Sequence, residues 1–268
     1  MRENRVKRVM REGRLAIGTF VSLADPQVAE IIGLAGFDAA FIDMEHTGFD
    51  LPLVGEMIRA AEVAGVTSLV RVPDEDAKLM MRLLEMGAEG IIVPHVDGLA
   101  GAKRAVDTVR YPPLGKGGTS SGTRATRFGT VPWTEYTEWA NDQIVLSVMV
   151  EDEKAIDEVE AIASLDGIDL VAIGPNDLAQ TLGVRDATDP RLRSKVEDIA
   201  KTVRSVGKAK LAIPISNTML PISPEELLEL GVGYSHVGPA PTTVLLQSMQ
   251  KRVKSIHEAT GRPATTRV

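Results

Sequence analysis
The chain predicts an α/β protein, a (β/α)8 barrel of the TIM class folded as one domain over residues 1–268. Three observations predict it. Eight short apolar runs recur along the chain, and each is followed by a segment with helical apolar spacing. The runs are continuously apolar rather than alternating, the pattern of parallel strands buried on both faces. The first run, around Gly18-Thr19-Phe20, lacks the phosphate-binding glycine turn that an open doubly wound sheet uses. No shift in composition marks a domain boundary.

In order, residues 1–14 (MRENRVKRVMREGR) predict a short basic helix on the surface. Leu15–Val21 reads as the first strand, and Asp25-Pro26 opens a helix to Ala35 that Gly36 ends. Asp38–Ile42 is the second strand, Leu51–Ala64 a helix stopped by Gly65, and Ser68–Val72 the third strand. A helix over Asp76–Met86 ends at Gly87; Gly90–Val93 is the fourth strand and Leu99–Arg110 the next helix. Residues 111–131 interrupt the rhythm with a Gly-, Pro-, Ser- and Thr-rich segment carrying three basic residues, the kind of long insertion expected of an active-site loop. A helix at Trp133–Ala140 leads into the fifth strand, which ends at Glu151. Then come a helix over Glu153–Ala163, a sixth strand over Ile168–Ile173, and helices at Asp177–Leu182 and Arg191–Val206. The series closes with strands Lys210–Ile215 and Tyr234–Val237, separated by a helix at Pro224–Leu230, and a last helix over Thr242–Ala259.

Composition narrows the function. A net charge of -7 argues against nucleic acid or an anionic membrane as partner. With no cysteine, disulfides, thiolate metal sites and cysteine nucleophiles are excluded, so a metal would be held by oxygen or imidazole. The N-terminal segment lacks the apolar centre of a signal peptide and no run approaches the length of a membrane span, so a cytoplasmic location is expected.

Chemistry in such a barrel sits where the C-terminal strand ends meet the loops. The polar residues there are Asp43, Glu45, His46, Arg71, His95, Asp97, Glu151, Asn176, Asp177, Ser216, Asn217 and His236. Glu151 and Asp177 end adjacent strands, and two neighbouring carboxylates repel unless a hard cation or a shared proton lies between them. Each also has a structural use: Asp177 as a helix cap, Glu151 as a lysine partner. Arg71 lies between Val70 and Val72 and faces either the barrel interior or the helix layer; in both places a buried guanidinium needs a carboxylate. His46 supplies an imidazole, the side-chain type suited to carry a proton near neutrality. His95 and His236 read as structural or loop histidines.

Taken together these residues resemble the HpcH/HpaI aldolases, a family of class II, metal-dependent pyruvate aldolases with a (β/α)8 fold. The likeness is carried by Phe41-Ile42-Asp43-Met44-Glu45-His46, Val70-Arg71-Val72-Pro73, Gly87-Ala88-Glu89-Gly90-Ile91-Ile92-Val93-Pro94, Tyr111-Pro112-Pro113, Val150-Glu151 and Ile173-Gly174-Pro175-Asn176-Asp177-Leu178. The resemblance implies that Glu151 and Asp177 hold a divalent cation, Mg²⁺, Mn²⁺ or Co²⁺. It implies that Arg71 stabilises an enolate oxygen, that His46 is the acid/base with Glu85 orienting it, and that the backbone around Asn176 and Asp177 receives the keto acid's carboxylate. The substrates implied are a 2-keto acid and an aldehyde or other carbonyl acceptor. The assembly implied is a homo-oligomer, a trimer or hexamer with its C-terminal helix exchanged between subunits; the apolar Leu245, Leu246 and Met249 would serve that exchange or cap their own barrel.

The chain departs from the family pattern at Gly115–Gly122, at Ile213–Asn217 and at Gly238–Pro241, segments that shape the space for the second substrate. A biosynthetic condensing enzyme with a larger or activated acceptor is therefore the alternative to an aldolase. A non-catalytic barrel would be expected to have lost a metal ligand, and none is lost here. A phosphate-binding isomerase rests on Gly238-Pro239 alone.

Overall fold
A computed structural model describes residues 1–118 and 120–262; Thr119, within the 111–131 segment, and residues 263–268 lie outside the described residues. Eight parallel strands close into a barrel in chain order: β1 (Ala16–Val21), β2 (Ala39–Asp43), β3 (Thr67–Arg71), β4 (Gly90–Val93), β5 (Val145–Met149), β6 (Leu170–Ala172), β7 (Lys210–Ala212) and β8 (Val232–His236). The last strand pairs with the first, Gly18 opposite His236. Successive residues point to opposite faces. Val70, Ile91, Leu146, Val148 and Val171 pack outward under the helices, whereas Ala39, Phe41, Leu69, Ile92, Met149 and Leu170 fill the interior. Both faces are buried, which is why the sequence shows unbroken apolar runs.

The outer layer follows the expected helices: α2 (Gln27–Leu34), α3 (Leu51–Val63), α4 (Ala77–Glu85), α5 (Gly98–Val109) and α6 (Trp133–Gln143), after α1 (Arg5–Arg11). Asp50 and Asp76 cap α3 and α4 with their side chains. Gly87 turns the chain out of α4 at φ 97, a left-handed conformation suited to glycine. The predicted helix over Glu153–Ala163 is two short helices, α7 (Glu153–Asp157) and α8 (Val159–Ala163), broken at Glu158. Glu158 leaves the helical pattern and its carboxylate accepts the Leu99 N–H at 2.6 Å, tying this segment to the start of α5. The remaining helices are α9 (Pro175–Thr181), α10 (Pro190–Val206), α11 (Pro224–Glu229) and α12 (Pro241–Thr260).

Residues 1–14 do not form a surface helix. Val6 and Val9 on α1 belong to the interior cluster and close the N-terminal end of the barrel. Asn4 caps α1 and donates from its amide to the Glu89 carbonyl at 2.9 Å, while its own N–H donates to Gln143. The Lys7 ammonium, buried with its helix, reaches Asp169 Oδ1 at 2.8 Å and the Asp142 carbonyl at 2.6 Å. The basic residues misled because two apolar positions, one turn apart, are enough to plug a barrel.

Strands β5, β6 and β7 stop short of their predicted ends. β5 ends at Met149, although the Val150 N–H still bonds the Ala172 carbonyl, so Glu151 leaves the ladder at the barrel mouth. β6 spans only Leu170–Ala172, and Gly174 already caps α9. β7 ends before Pro214, which lacks a ladder donor. Helix α12 buries none of its residues, and Val244, Leu246, Met249, Val253 and Ile256 stand exposed along it. It does not cap its own barrel. Among the described residues no helix is long and apolar enough to cross a membrane.

Candidate active site
Small inward residues at Ser147, Ala172 and Ala212 leave the upper barrel unfilled, and a cavity of about 290 Å³ opens there at the C-terminal strand ends. His46, Arg71, Asn176, Asp177 and His236 border it.

Arg71 closes the inner face of β3 and points into the barrel. Asp43 is its register partner on β2, so both side chains reach the same level from adjacent strands. Arg71 Nε and Nη2 meet the two Asp43 oxygens at 2.9 and 2.7 Å, and Nη1 meets Glu45 Oε2 at 2.9 Å. Asp43 Oδ1 also accepts the N–H groups of Glu45 and His46, which folds the turn that presents both residues. Burial pushes the Asp43 carboxyl up, but the hydrogen bonds and charge of Arg71 and the two N–H groups outweigh it and hold it below its ordinary value. For Arg71, burial acts downward and is overcome by Asp43, Glu45 and Glu151, so the guanidinium is a fixed positive charge under the mouth.

Glu151 is 1% exposed. Its Oε1 accepts the His95 N–H at 3.0 Å, and its Oε2 has no hydrogen-bond partner. Burial pushes this carboxyl up to about 7, against the hydrogen bond and charge of His95, and Asp177 and Glu45 add to the rise. Gly174 sits between the two carboxylates: a Cβ built there would fall 2.4 Å from Glu151 Oε2 and 3.3 Å from Asp177 Oδ2. The two oxygens therefore border one small volume that only a glycine at 174 leaves open. A buried carboxylate oxygen without a partner, beside a second carboxylate, is costly unless a cation joins them. Hard oxygen donors of this kind fit a divalent cation. Among the described residues no group of three or more His, Asp or Glu is arranged to hold a metal, so the protein would provide two ligands and leave the other positions to water and substrate.

Sequence reasoning gave no role to Asp43 and Glu45. The signal was present, since a buried Arg71 requires carboxylates and Asp43 stands opposite it in the sheet. His95, expected from the sequence to be a structural or loop histidine, stands beside the carboxylate pair. It adopts a left-handed φ of 46 and places its ring between Glu151 (3.3 Å), Asp152 (3.4 Å) and Glu45 (3.6 Å). Burial pulls its pKa down, but the charges of Glu151, Asp152 and Glu45 and a hydrogen bond to Asp152 raise it overall.

His46 borders the cavity with an exposed ring, Nε2 3.7 Å from Glu45 Oε2. Glu85 is not brought to it. Glu85 lies on α4 in the outer layer and borders a surface groove with Arg59, Arg82 and Arg124. No described residue of 111–131 borders the mouth cavity; Ala125 bonds the Glu85 carbonyl and Arg124 the Met86 carbonyl, so this segment packs back along α4. Asn176 and Asn217 meet across the rim at 3.4 Å.

Comparison with known proteins agrees with this geometry. The family model described as HpcH/HpaI aldolase/citrate lyase matches residues 16–219. The hydroxypyruvate/pyruvate aldolase of Pseudomonas aeruginosa is 36% identical, the match covering 92% of this chain and 91% of that protein. A solved HpcH/HpaI aldolase/citrate lyase family protein from Burkholderia cenocepacia superposes with a TM-score of 0.84 at 29% identity, covering 95% of this chain and 99% of the other. The crystal structure of the citrate synthase SbnG superposes with a TM-score of 0.81 at 28% identity, covering 95% of this chain and 98% of that one.

Proposed function
Because the chain belongs to the HpcH/HpaI aldolase/citrate lyase family, we propose that it is a carbon–carbon lyase acting through the enolate of pyruvate or a related 2-keto acid, and that it cleaves or forms 4-hydroxy-2-keto acids. The observation that carries the reading is the partnerless Oε2 of Glu151 facing Asp177, with Arg71 held as a fixed cation below. Glu151 and Asp177 would hold a divalent cation, which would supply Lewis-acid polarisation to a bound keto acid.

The chain's own residues do the rest. Arg71, oriented by Asp43 and Glu45, presents its guanidinium where negative charge develops on the enolate oxygen. Asn176 and Asp177 border the place where the keto acid's carboxylate is received. In the cleavage direction His46 takes the proton of the 4-hydroxyl as the C3–C4 bond breaks, and it returns a proton in the synthetic direction. The charges of Glu45 and Glu151 keep His95 beside the pair, where it steadies Glu151 through its backbone N–H. The exposed apolar side of α12 suits an interface between copies of this chain, which sedimentation velocity tests.

Exchange of the C3 protons of pyruvate into D2O reads out enolate formation without any acceptor. Glu151→Gln or Asp177→Asn is expected to abolish both exchange and Mn²⁺ binding. Full activity of chelator-treated protein would overturn the proposal. The likeness to a citrate synthase favours a second reading, condensation with an activated acceptor; exchange without cleavage of 4-hydroxy-2-keto acids would select it.

A further inference from the structure
The cavity has two chemically different walls. Arg71 and Asp177 make one side charged, with Glu45 and Glu151 close behind them, and that side is occupied by the keto acid in the function proposed above. The other wall is aromatic. Phe20, Phe41 and His236 meet there, with the imidazole 5.0 Å from Phe20 in an edge-on contact and 5.4 Å from Phe41. The two phenyl rings fix the plane of the imidazole, and the Arg71 guanidinium lies 5.5 Å above the Phe41 ring, so this wall adjoins the reacting centre.

Neither ring nitrogen of His236 has a hydrogen-bond partner among the described residues. Burial first, and then the charge of Arg71, pull His236 down to about 4, so the ring is neutral around pH 7. A neutral imidazole carries one donor and one acceptor. Tyr234, two residues earlier on the same inward face of β8, borders the same cavity, and its buried hydroxyl also lacks a partner. A Cβ at position 18 would fall 2.3 Å from that hydroxyl, so Gly18 is what makes room for it. An apolar side chain would fill the gap between Phe20 and Phe41 without leaving polar atoms unpaired. Polar groups kept in such a position are free to bond a ligand that enters the cavity.

We propose that His236 selects the second substrate by hydrogen-bonding a hydroxyl of the acceptor, so that the preferred acceptor is a short hydroxy aldehyde rather than an alkyl aldehyde. The inference rests on the pyruvate-enolate reading. A hydroxyl, like the neutral ring, offers one donor and accepts at its oxygen, so the two match; an alkyl chain leaves the ring unpaired, and a carboxylate gains no counter-charge from it. The cavity volume of about 290 Å³ suits pyruvate with a short partner.

The test compares kcat/KM for addition of pyruvate to glycolaldehyde and to propanal, which differ by a hydroxyl in place of a methyl. The wild type is expected to prefer glycolaldehyde, and His236→Phe to reduce that preference by about 10- to 100-fold, the loss falling on glycolaldehyde. His236→Gln, which keeps a donor and an acceptor, is expected to restore part of it. If the Phe variant does not fold, His236→Leu takes its place. An unchanged ratio in the apolar variant, or a wild type that does not distinguish the two aldehydes, overturns the inference while pyruvate proton exchange persists. A wild type without that exchange overturns the function proposed above and this inference with it.

Discussion

Asp43→Asn removes one charge from the pair that aims Arg71. Asp43 holds the guanidinium through two short hydrogen bonds at 2.9 and 2.7 Å, and both side chains are nearly buried. Asparagine keeps one acceptor but turns an NH2 toward the other guanidinium N–H, so one charge-assisted bond is lost and two donors oppose each other. Bonds to charged groups contribute about 1.5–3 kcal/mol, and breaking a buried pair costs about 3–5 kcal/mol when nothing replaces the partner. Glu45 still contacts Nη1, so a stability loss of about 2–3 kcal/mol is expected by urea unfolding. If the freed guanidinium swings off the enolate oxygen, the loss of a similar interaction lowers kcat by about 10- to 100-fold. Mn²⁺ affinity should change little, since Asp43 does not border the Glu151–Asp177 pair.

The pH dependence gives an independent check. The folded-state pKa of Asp43 lies below its ordinary 3.8, so its contribution is fully present above that value and is lost as pH falls through the lower, folded one. The stability gap between wild type and Asp43→Asn should therefore be constant above about pH 5 and close at lower pH. A gap that persists undiminished in acid, or a variant with wild-type kcat, refutes the assignment of Asp43 as the residue that positions Arg71.

Two further outcomes follow from the carboxylate pair. Gly174→Ala keeps an ordinary backbone, since φ is -89, but its Cβ would meet Glu151 Oε2 at 2.4 Å. Mn²⁺ affinity, read by the EPR signal of the free ion, is expected to fall at least about 10-fold, a loss of about 1.4 kcal/mol; an unchanged Kd contradicts the placement of the cation. The Glu151 carboxyl is raised from 4.5 to about 7, so the stability it contributes is present below 4.5 and lost as pH rises through 7. In chelator, the wild type should lose up to about 3 kcal/mol relative to Glu151→Gln across that interval, and Mn²⁺ should reverse the loss. Thermal unfolding curves of the two proteins that stay parallel from pH 4.5 to 7 would count against it.

The strands were legible because two buried faces leave an unmistakable apolar record, and the helix stops because Gly36, Gly65 and Gly87 all take positive φ. Glu151 and Asp177 could be paired from their places at the ends of consecutive strands. The direction of Arg71 could not, because alternation distinguishes the two faces of a strand only when one of them is wet, and here Val70 and Val72 are buried as completely as Leu69. His95 was illegible for a different reason: its place depends on a left-handed backbone that a histidine in a sequence does not announce. Glu85 is a reminder that a residue's register in a motif says nothing of which layer its side chain faces, and α4 turns it outward.

The plug at the foot of the barrel carries a consequence for how the chain is made. Asn4 bonds Gln143, and Lys7 bonds Asp142 and Asp169. Helix α1 thus has no complete seat until Asp142, Gln143 and Asp169 have followed it out of the ribosome. Until then Val6 and Val9 have no interior to enter, and the open end of the growing sheet has nothing to close it. Residues 1–11 are made before the strands they close yet are fixed after them, and a fusion that holds them back would leave the finished barrel unstoppered at the end opposite its chemistry.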